Sequence, residues 1–164
     1  MRNRQGVHGL RRGRFSEIGR VYLLSTVTRD REPVFCSLPA ARAVIRALAT
    51  EDAEGFTRTL AYVLMPDHLH WLVELSEPIA LARLMQAIKS VSAHRIGAPV
   101  WQPGFHDRAL RAEEDLAAVA RYVVANPLRA GLVDDLVAYP HWDTVWLQAD
   151  GGRANPWAWW WDPG

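Results

Sequence analysis

The sequence predicts an α+β fold in which one antiparallel β-sheet carries helices packed on one face. Short β-prone runs alternate with longer segments whose apolar residues recur at helical spacing, in the order β-α-β-β-α-β-α. Only the turn signal Pro66-Asp67 separates the second and third runs, which predicts a hairpin of antiparallel strands. The chain has 164 residues, 49% hydrophobic and 23% charged, which suits one globular domain with a sizeable core. This order of elements resembles a ferredoxin-like unit.

The first half of the chain supplies three strands and one helix. Strands are predicted at residues 21–27, 56–64 and 68–75, where β-branched and other apolar side chains are frequent. A helix is predicted at residues 38–50, and Pro39 falls in its first turn, where a missing N–H is tolerated.

The second half is mainly helical. Residues 79–96 form a predicted helix whose apolar positions have helical spacing: Leu81, Leu84, Met85, Ile88 and Val91. Residues 101–110 are predicted as an irregular stretch that leads into a fourth strand. A helix at residues 113–125 begins with acidic side chains, which favour a helix N-terminus, and Asn126-Pro127 stops or kinks it. A short last helix is predicted at residues 133–138.

Charge is unevenly distributed along the chain, although the net charge is only +1. The first 20 residues carry six arginines and one glutamate, while the remainder is mildly acidic. We therefore predict a basic flexible arm at residues 1–19, a single folded domain at 20–149 and a Trp-rich tail at 150–164. Such an arm suits phosphate or nucleic acid. Lys89 is the only lysine, and genomic G+C bias is the alternative interpretation of this preference for arginine, but it does not explain why the arginines are concentrated in the first 20 residues.

Several classes of protein are disfavoured by composition and motifs. Cys36 is the only cysteine, so a disulfide framework or cysteine zinc cluster within one chain is excluded, and the reducing cytoplasm is the expected compartment. Residues 1–13 lack the apolar core of a signal peptide, and no apolar run reaches membrane-spanning length. Neither a serine-hydrolase triad nor a phosphate-binding glycine loop or dinucleotide fingerprint is present. We expect no membrane partner and no small-molecule cofactor.

His68 and His70 are the first candidates for chemistry. Two residues apart on a strand, they project from one face, while Leu69 points to the other. Two imidazoles on a rigid strand form half of a divalent-metal site. Asp67 could orient an imidazole, and Glu74 has the same parity as the histidines. A purely structural His-x-His pair is the alternative.

Tyr122 and Asn126 are the second candidates. Four residues apart on a helix, they share a face. A phenol is a poor nucleophile at neutral pH, so it would need a neighbouring cation or a metal-polarised phosphate. The Asn126 carbonyl oxygen could bind the same metal. The alternatives are a core aromatic for Tyr122 and a helix cap before Pro127 for Asn126. With the histidines, this pattern indicates metal-assisted phosphodiester chemistry.

Two further segments have open interpretations. His106 and Asp107 are either a metal or acid–base pair or, as we favour, part of a structural turn entering a strand. The tail contains tryptophans that could stack on unpaired bases or dock over an apolar groove: Trp157, Trp159, Trp160 and Trp161.

The motifs resemble those of a known family. Residues 65–71, Met-Pro-Asp-His-Leu-His-Trp, resemble the HUH motif of single-tyrosine transposases, and residues 122–133 resemble their tyrosine-helix motif. The more detailed resemblance is to the REP-associated tyrosine transposases, whose pattern is also matched at residues 19–22, 26–28, 33–35 and 101–108. The resemblance covers residues 13–145 and implies a ferredoxin-like fold of the HUH-endonuclease type.

The resemblance also implies a mechanism and partners. His68 and His70 would bind Mg²⁺ or Mn²⁺, with Asn126 as the third protein ligand. Tyr122 would attack a phosphate in single-stranded DNA, giving a 5′-phosphotyrosine and a free 3′-hydroxyl. The substrates would be palindromic repeats folded as hairpins, bound by a nucleoid-associated monomer or homodimer. The expected DNA contacts are arginines: Arg4, Arg11, Arg12, Arg14, Arg20, Arg108 and Arg111.

Three functions follow as hypotheses. The favoured one is metal-dependent DNA nicking and strand transfer. The first alternative is a non-catalytic module that binds hairpin nucleic acid on the same fold. The other is a hydrolytic metalloenzyme that uses His68, His70 and Glu74, with Tyr122 merely structural. A covalent protein–DNA adduct formed with Mn²⁺ would support the first alone.

Overall fold

A computed structural model of the protein describes residues 17–145. The predicted Trp-rich tail and most of the basic arm, with Arg4, Arg11, Arg12 and Arg14, lie outside the described residues. The predicted domain boundaries therefore stay predictions.

The described chain is built on a five-stranded sheet in which every pairing is antiparallel, in the spatial order β4-β1-β3-β2-β5. The strands are β1 (Val21–Val27), β2 (Thr57–Met65), β3 (His68–Leu75), β4 (His106–Ala109) and β5 (Trp142–Thr144). The central strand β3 pairs with β1 on one side and with β2 on the other. The predicted α+β class with an antiparallel sheet is confirmed.

Helices cover both faces of the sheet. They are α1 (Leu38–Ala53), α2 (Leu81–Ile96), α3 (Leu116–Val124) and the single turn α4 (Asn126–Arg129). Helices α1 and α2 pack on the face that carries Leu69, Trp71 and Val73, all fully buried. Burial of such large apolar side chains contributes about 1.5–3 kcal/mol each.

Helix α3 corrects the prediction that the helices pack on one face only. Its buried residues Ala120 and Val124 lie against Leu72 and Ala61, on the opposite face of the sheet from α1 and α2. The physical reason is that β1 and β2 also carry apolar side chains on this second face, among them Val21, Val63 and Met65, so it needs a cover as well. Towards the start of β3, that second face carries the two histidines.

The sequence patterns predict the ends of most helices and strands to within a few residues. Strands β1 and β3 have the predicted bounds, and the hairpin forms as expected. Helix α3 begins at Leu116 rather than at 113, because the Asp115 side chain accepts a hydrogen bond from the Ala118 N–H and caps it there. The helix predicted at 133–138 is a 3₁₀ turn, Leu136–Ala138. Among residues 17–145, no helix combines the length and the apolar character needed to cross a bilayer.

Candidate active site

The two histidines lie side by side on β3, on the face that α3 partly covers. His68 pairs with Val27 and Met65, and His70 pairs with Ser25 and Val63. The ring centroids are 4.9 Å apart and the rings are nearly perpendicular, at 84°. Both side chains are half-buried. The arrangement matches the shared face that the spacing predicts.

A hydrogen bond holds the Nδ1 atom of each histidine. The Asp67 carboxylate lies 2.6 Å from His68 Nδ1, and the Ser25 hydroxyl lies 2.6 Å from His70 Nδ1. A carboxylate can only accept, so His68 Nδ1 carries a proton, and in the neutral imidazole Nε2 is then the atom with the free lone pair. The Ser25 hydroxyl can accept from His70 in the same way. Both Nε2 atoms can then serve as metal ligands, each oriented by a partner behind it.

Asp67 stays ionised, as this role requires. Burial would raise the pKa of Asp67, but the hydrogen bond and charge of His68 and the charge of Arg31 lower it overall. Arg31 Nη1 lies 3.6 Å from the other carboxylate oxygen. The sequence pattern anticipates Asp67, whereas Ser25 and Arg31 become visible only once the strand register and the turn after β1 are known.

His70 is neutral at physiological pH. Partial burial lowers the pKa of His70 to about 4, and nearby positive charges add to this effect. Two of these charges are arginines, Arg129 in α4 and Arg31 in the turn after β1. A neutral imidazole has the free lone pair that metal binding requires.

Tyr122 is a surface residue of α3, which contradicts its alternative interpretation as a core aromatic. Its side chain is 65% exposed, while the next residue, Val123, packs against Val63 and Met65 of β2. The Arg129 guanidinium carbon lies 3.9 Å from the centre of the Tyr122 ring, a cation–π contact. The neighbouring cation that a phenol nucleophile requires is therefore present, seven residues along the chain.

Asn126 begins α4 and is half-buried. Its amide nitrogen donates a hydrogen bond to the Val123 carbonyl at 3.1 Å, which fits the capping interpretation and leaves the amide oxygen as an acceptor. Two imidazole nitrogens, one amide oxygen and oxygens from a phosphate form a donor set that Mg²⁺ or Mn²⁺ accepts. The residues present therefore fit such an ion, provided that the substrate supplies part of the coordination.

The described residues do not support the hydrolytic site with Glu74. Between residues 17 and 145, no three side chains of the His, Cys, Asp and Glu types come together as a metal site. Glu74 lies four residues beyond His70 on β3, roughly 13 Å away at about 3.3 Å per residue. It forms an ion pair with Arg58 at 3.5 Å. A fully protein-bound metal using both histidines and Glu74 is therefore excluded.

His106 and Asp107 do not form a joint acid–base site. His106 pairs with Ser25 on β1 and shares the histidine face, so Asp107, one residue on, points to the other face. The loop before β4 is held by Lys89, whose ammonium donates to the carbonyls of Gln102 and Gly104. These contacts agree with the structural turn that we favour for this segment.

The predicted DNA-binding arginines within the described residues lie at the other end of β1 and β4. Arg20 and Arg111 line a cleft of about 500 Å³. Arg20 lies 3.4 Å from Glu17, and Arg108 donates to both carboxylate oxygens of Glu114 at 3.1 and 2.9 Å. Arg108 thus has a structural role near the start of α3, and the contacts of all three with DNA stay predictions.

The Asp67→Asn substitution tests whether the charge of the Asp67 carboxylate strengthens metal binding by His68. Asparagine can still accept the Nδ1 hydrogen bond but lacks the charge, so we expect the affinity of the site for Mn²⁺, measured by titration, to fall by about 10–100-fold. Asp134→Asn, at an exposed position, is the matched control. Equal Mn²⁺ affinities in the two variants would show that the carboxylate does not tune this site.

Known proteins resemble this chain in sequence and in structure. The sequence model of the family described as "Transposase IS200 like" matches residues 21–126, which include both histidines, Tyr122 and Asn126. A curated protein, the REP-associated tyrosine transposase of Escherichia coli (strain K12), is 29% identical over 82 residues. That match covers 49% of this chain and 50% of the relative, so the chain spans about half of the relative's length.

Two solved structures share the fold. A REP-associated tyrosine transposase bound to a REP hairpin superposes with a TM-score of 0.72 at 22% identity, covering 86% of each chain. A Deinococcus radiodurans R1 structure described as a transposase gives a TM-score of 0.50 at 21% identity, covering 68% of this chain and 94% of its own. Both likenesses confirm the ferredoxin-like fold class.

Proposed function

The chain belongs to the IS200-like transposase family, and we propose that it cuts single-stranded DNA next to a folded hairpin and transfers the cut strand through a tyrosine intermediate. Two observations together carry this proposal. The half-buried pair His68 and His70 is hydrogen-bonded at Nδ1 by Asp67 and Ser25. The neighbouring helix α3 exposes Tyr122, and the Arg129 guanidinium lies over its ring. Neutral imidazoles and an accessible phenol are the groups that metal-assisted attack on a phosphodiester needs.

Tyr122 is the proposed nucleophile. Its oxygen attacks the phosphorus, the P–O3′ bond breaks, and the departing 3′-oxygen takes up a proton as the phenol loses one. The product is a 5′-phosphotyrosine and a free 3′-hydroxyl. Strand transfer is the reverse step, in which a 3′-hydroxyl attacks the phosphotyrosine and releases the phenol.

The proposed metal ligands are His68, His70 and Asn126. A bound Mg²⁺ or Mn²⁺ would polarise the phosphate and stabilise its developing charge. Asp67 holds His68 in the orientation that leaves Nε2 available, and Ser25 can hold His70 in the same way by accepting from its Nδ1.

Hairpin DNA is the proposed partner. One solved structure with the same fold is bound to a REP hairpin. In this chain, the cleft with Arg20 and Arg111 and the basic arm supply positive charge for a phosphate backbone. We propose a cytoplasmic, nucleoid-associated protein that acts on palindromic repeats.

A labelled hairpin with single-stranded flanks tests the function. With Mn²⁺, we expect cleavage in one flank and a covalent adduct that survives denaturation. Tight hairpin binding without cleavage or adduct would instead support the non-catalytic module. Cleavage without an adduct would contradict the tyrosine mechanism.

Deletion of residues 1–14 tests the basic arm. The deletion removes five arginines and leaves the catalytic residues in place, so hairpin affinity should fall and become less dependent on salt. Each lost phosphate contact should reduce the slope of log affinity against log salt by roughly 0.7–0.9. A full-length variant with these arginines changed to glutamine should behave like the deletion, whereas salt curves that superimpose on the wild type would show that the arm binds nothing.

A further inference from the structure

Arg31 lies beside Asp67, whose carboxylate accepts a hydrogen bond from His68. It ends the 3₁₀ turn Arg29–Arg31 after β1, and its Nη1 lies 3.6 Å from Asp67, the carboxylate that holds His68. Its side chain is 62% exposed. At 3.6 Å the ion pair is longer than a hydrogen bond, so the planar guanidinium keeps most of its donors for another acceptor.

The backbone that places Arg31 beside Asp67 is strained. Asp30 and Arg31 have φ values of 53° and 55°, so two consecutive non-glycine residues adopt the left-handed region. The turn is held by Thr28, whose hydroxyl donates to the Glu32 carbonyl at 2.8 Å. Strain of this kind persists where the surrounding structure fixes a side chain for a task.

Arg129 lies beside the nucleophile. Its guanidinium lies over the face of the Tyr122 ring, 3.9 Å from the centroid, and its side chain is exposed. Because the side chain is exposed, the N–H groups on its outer side are open to another acceptor. Within residues 17–145, no carboxylate forms an ion pair with Arg129.

The two arginines approach one site from different elements. Arg31 comes from the turn after β1 and is linked through Asp67 to His68. Arg129 comes from α4 and lies over the ring of Tyr122. The residue next to Tyr122, Val123, packs against Val63 and Met65, the β2 partners of the two histidines. A group held between the histidines and the phenol would therefore meet a guanidinium on each side. A phosphodiester anion matches this charge and the planar donors.

We propose that Arg31 and Arg129 form a phosphate clamp that binds the non-bridging oxygens of the phosphodiester that Tyr122 attacks. The proposal deepens the proposed function and rests on it. The clamp fixes the phosphorus against the phenol before attack. Afterwards, Arg129 remains beside the phosphate that Tyr122 carries, and so retains the intermediate for strand transfer.

The test removes the charge on each side of the contact in turn. Wild-type protein first maps the cleaved position. A hairpin oligonucleotide is then made with a neutral methylphosphonate at that position, and binding is measured in Tyr122→Phe protein, which cannot cut. Adding Arg31→Gln or Arg129→Gln should weaken binding of the unmodified DNA by about tenfold. On the methylphosphonate DNA, both double variants should bind with the same affinity as the Tyr122→Phe single variant.

Arg46→Gln is the matched control, because Arg46 is an exposed arginine of α1 on the opposite face of the sheet. In the Tyr122→Phe background it should leave the affinity for the unmodified DNA and for the methylphosphonate DNA unchanged. Equal losses on charged and neutral DNA would overturn the clamp, since the arginines would then act through the fold or through Asp67. Unchanged binding to both DNAs would also overturn it. A wild-type protein that does not cut would overturn the proposed function and the clamp together, whereas wild-type cutting with a failed charge test overturns the clamp alone.

Discussion

The Tyr122→Phe protein should form no covalent adduct with hairpin DNA and should leave the flanking strand uncut. The substitution keeps the ring and removes only the hydroxyl that we propose attacks the phosphorus. Because the side chain is 65% exposed, the free energy of unfolding should change by less than about 0.5 kcal/mol. The Arg129 contact uses the face of the ring, so hairpin binding should also persist.

Cleavage and adduct formation on a labelled hairpin, with binding measured in parallel, check this expectation. Tyr62→Phe is a matched control, because Tyr62 lies on β2 with its side chain on the α1–α2 face, away from the histidines. It should cut like the wild type. Full cleavage by the Tyr122→Phe protein would rule out the tyrosine mechanism.

His68→Ala and His70→Ala should each reduce Mn²⁺-dependent cleavage on the order of 100-fold or more. Each removes one of the two proposed imidazole ligands, so the remaining ligands would bind the phosphate-polarising ion much more weakly. Excess chelator should have the same effect on the wild type. His94→Ala is the control, since His94 is an exposed residue near the end of α2, on the other face of the sheet.

Initial cleavage rates over a series of Mn²⁺ concentrations measure these effects. The Tyr122→Phe and histidine variants should differ in one respect: only the histidine variants should regain part of their activity at high Mn²⁺. Undiminished cleavage by the wild type in excess chelator would remove the metal from the mechanism.

The sequence predicts the hairpin and its histidines well because the signals there are local. Pro66-Asp67 fixes the turn, and the apolar residues that flank His68 and His70 force an extended chain, so parity alone puts both rings on one face. Strand β5 was not predicted because three residues are too few for a periodic pattern. It forms by pairing Trp142–Thr144 with the edge of β2, which is a tertiary contact.

The rest of the site depends on contacts between distant segments. Ser25 supports His70 only because the register of β1 on β3 places them opposite each other. Arg31 reaches Asp67 through a turn with left-handed residues, which nothing in its sequence signals. Arg129 falls within the tyrosine-helix motif, but its position on the Tyr122 ring requires the break between α3 and α4 at Asn126.

The identity of the residue that becomes linked to DNA tests the central claim most directly. Wild-type protein is incubated with hairpin DNA and Mn²⁺, the adduct is digested with protease and nuclease, and the modified peptide is sequenced by mass spectrometry. The account predicts a nucleotide joined through its 5′-phosphate to Tyr122 and to no other residue. A nucleotide on a different side chain, or cleaved DNA with a free 5′-phosphate and no modified peptide, would contradict it.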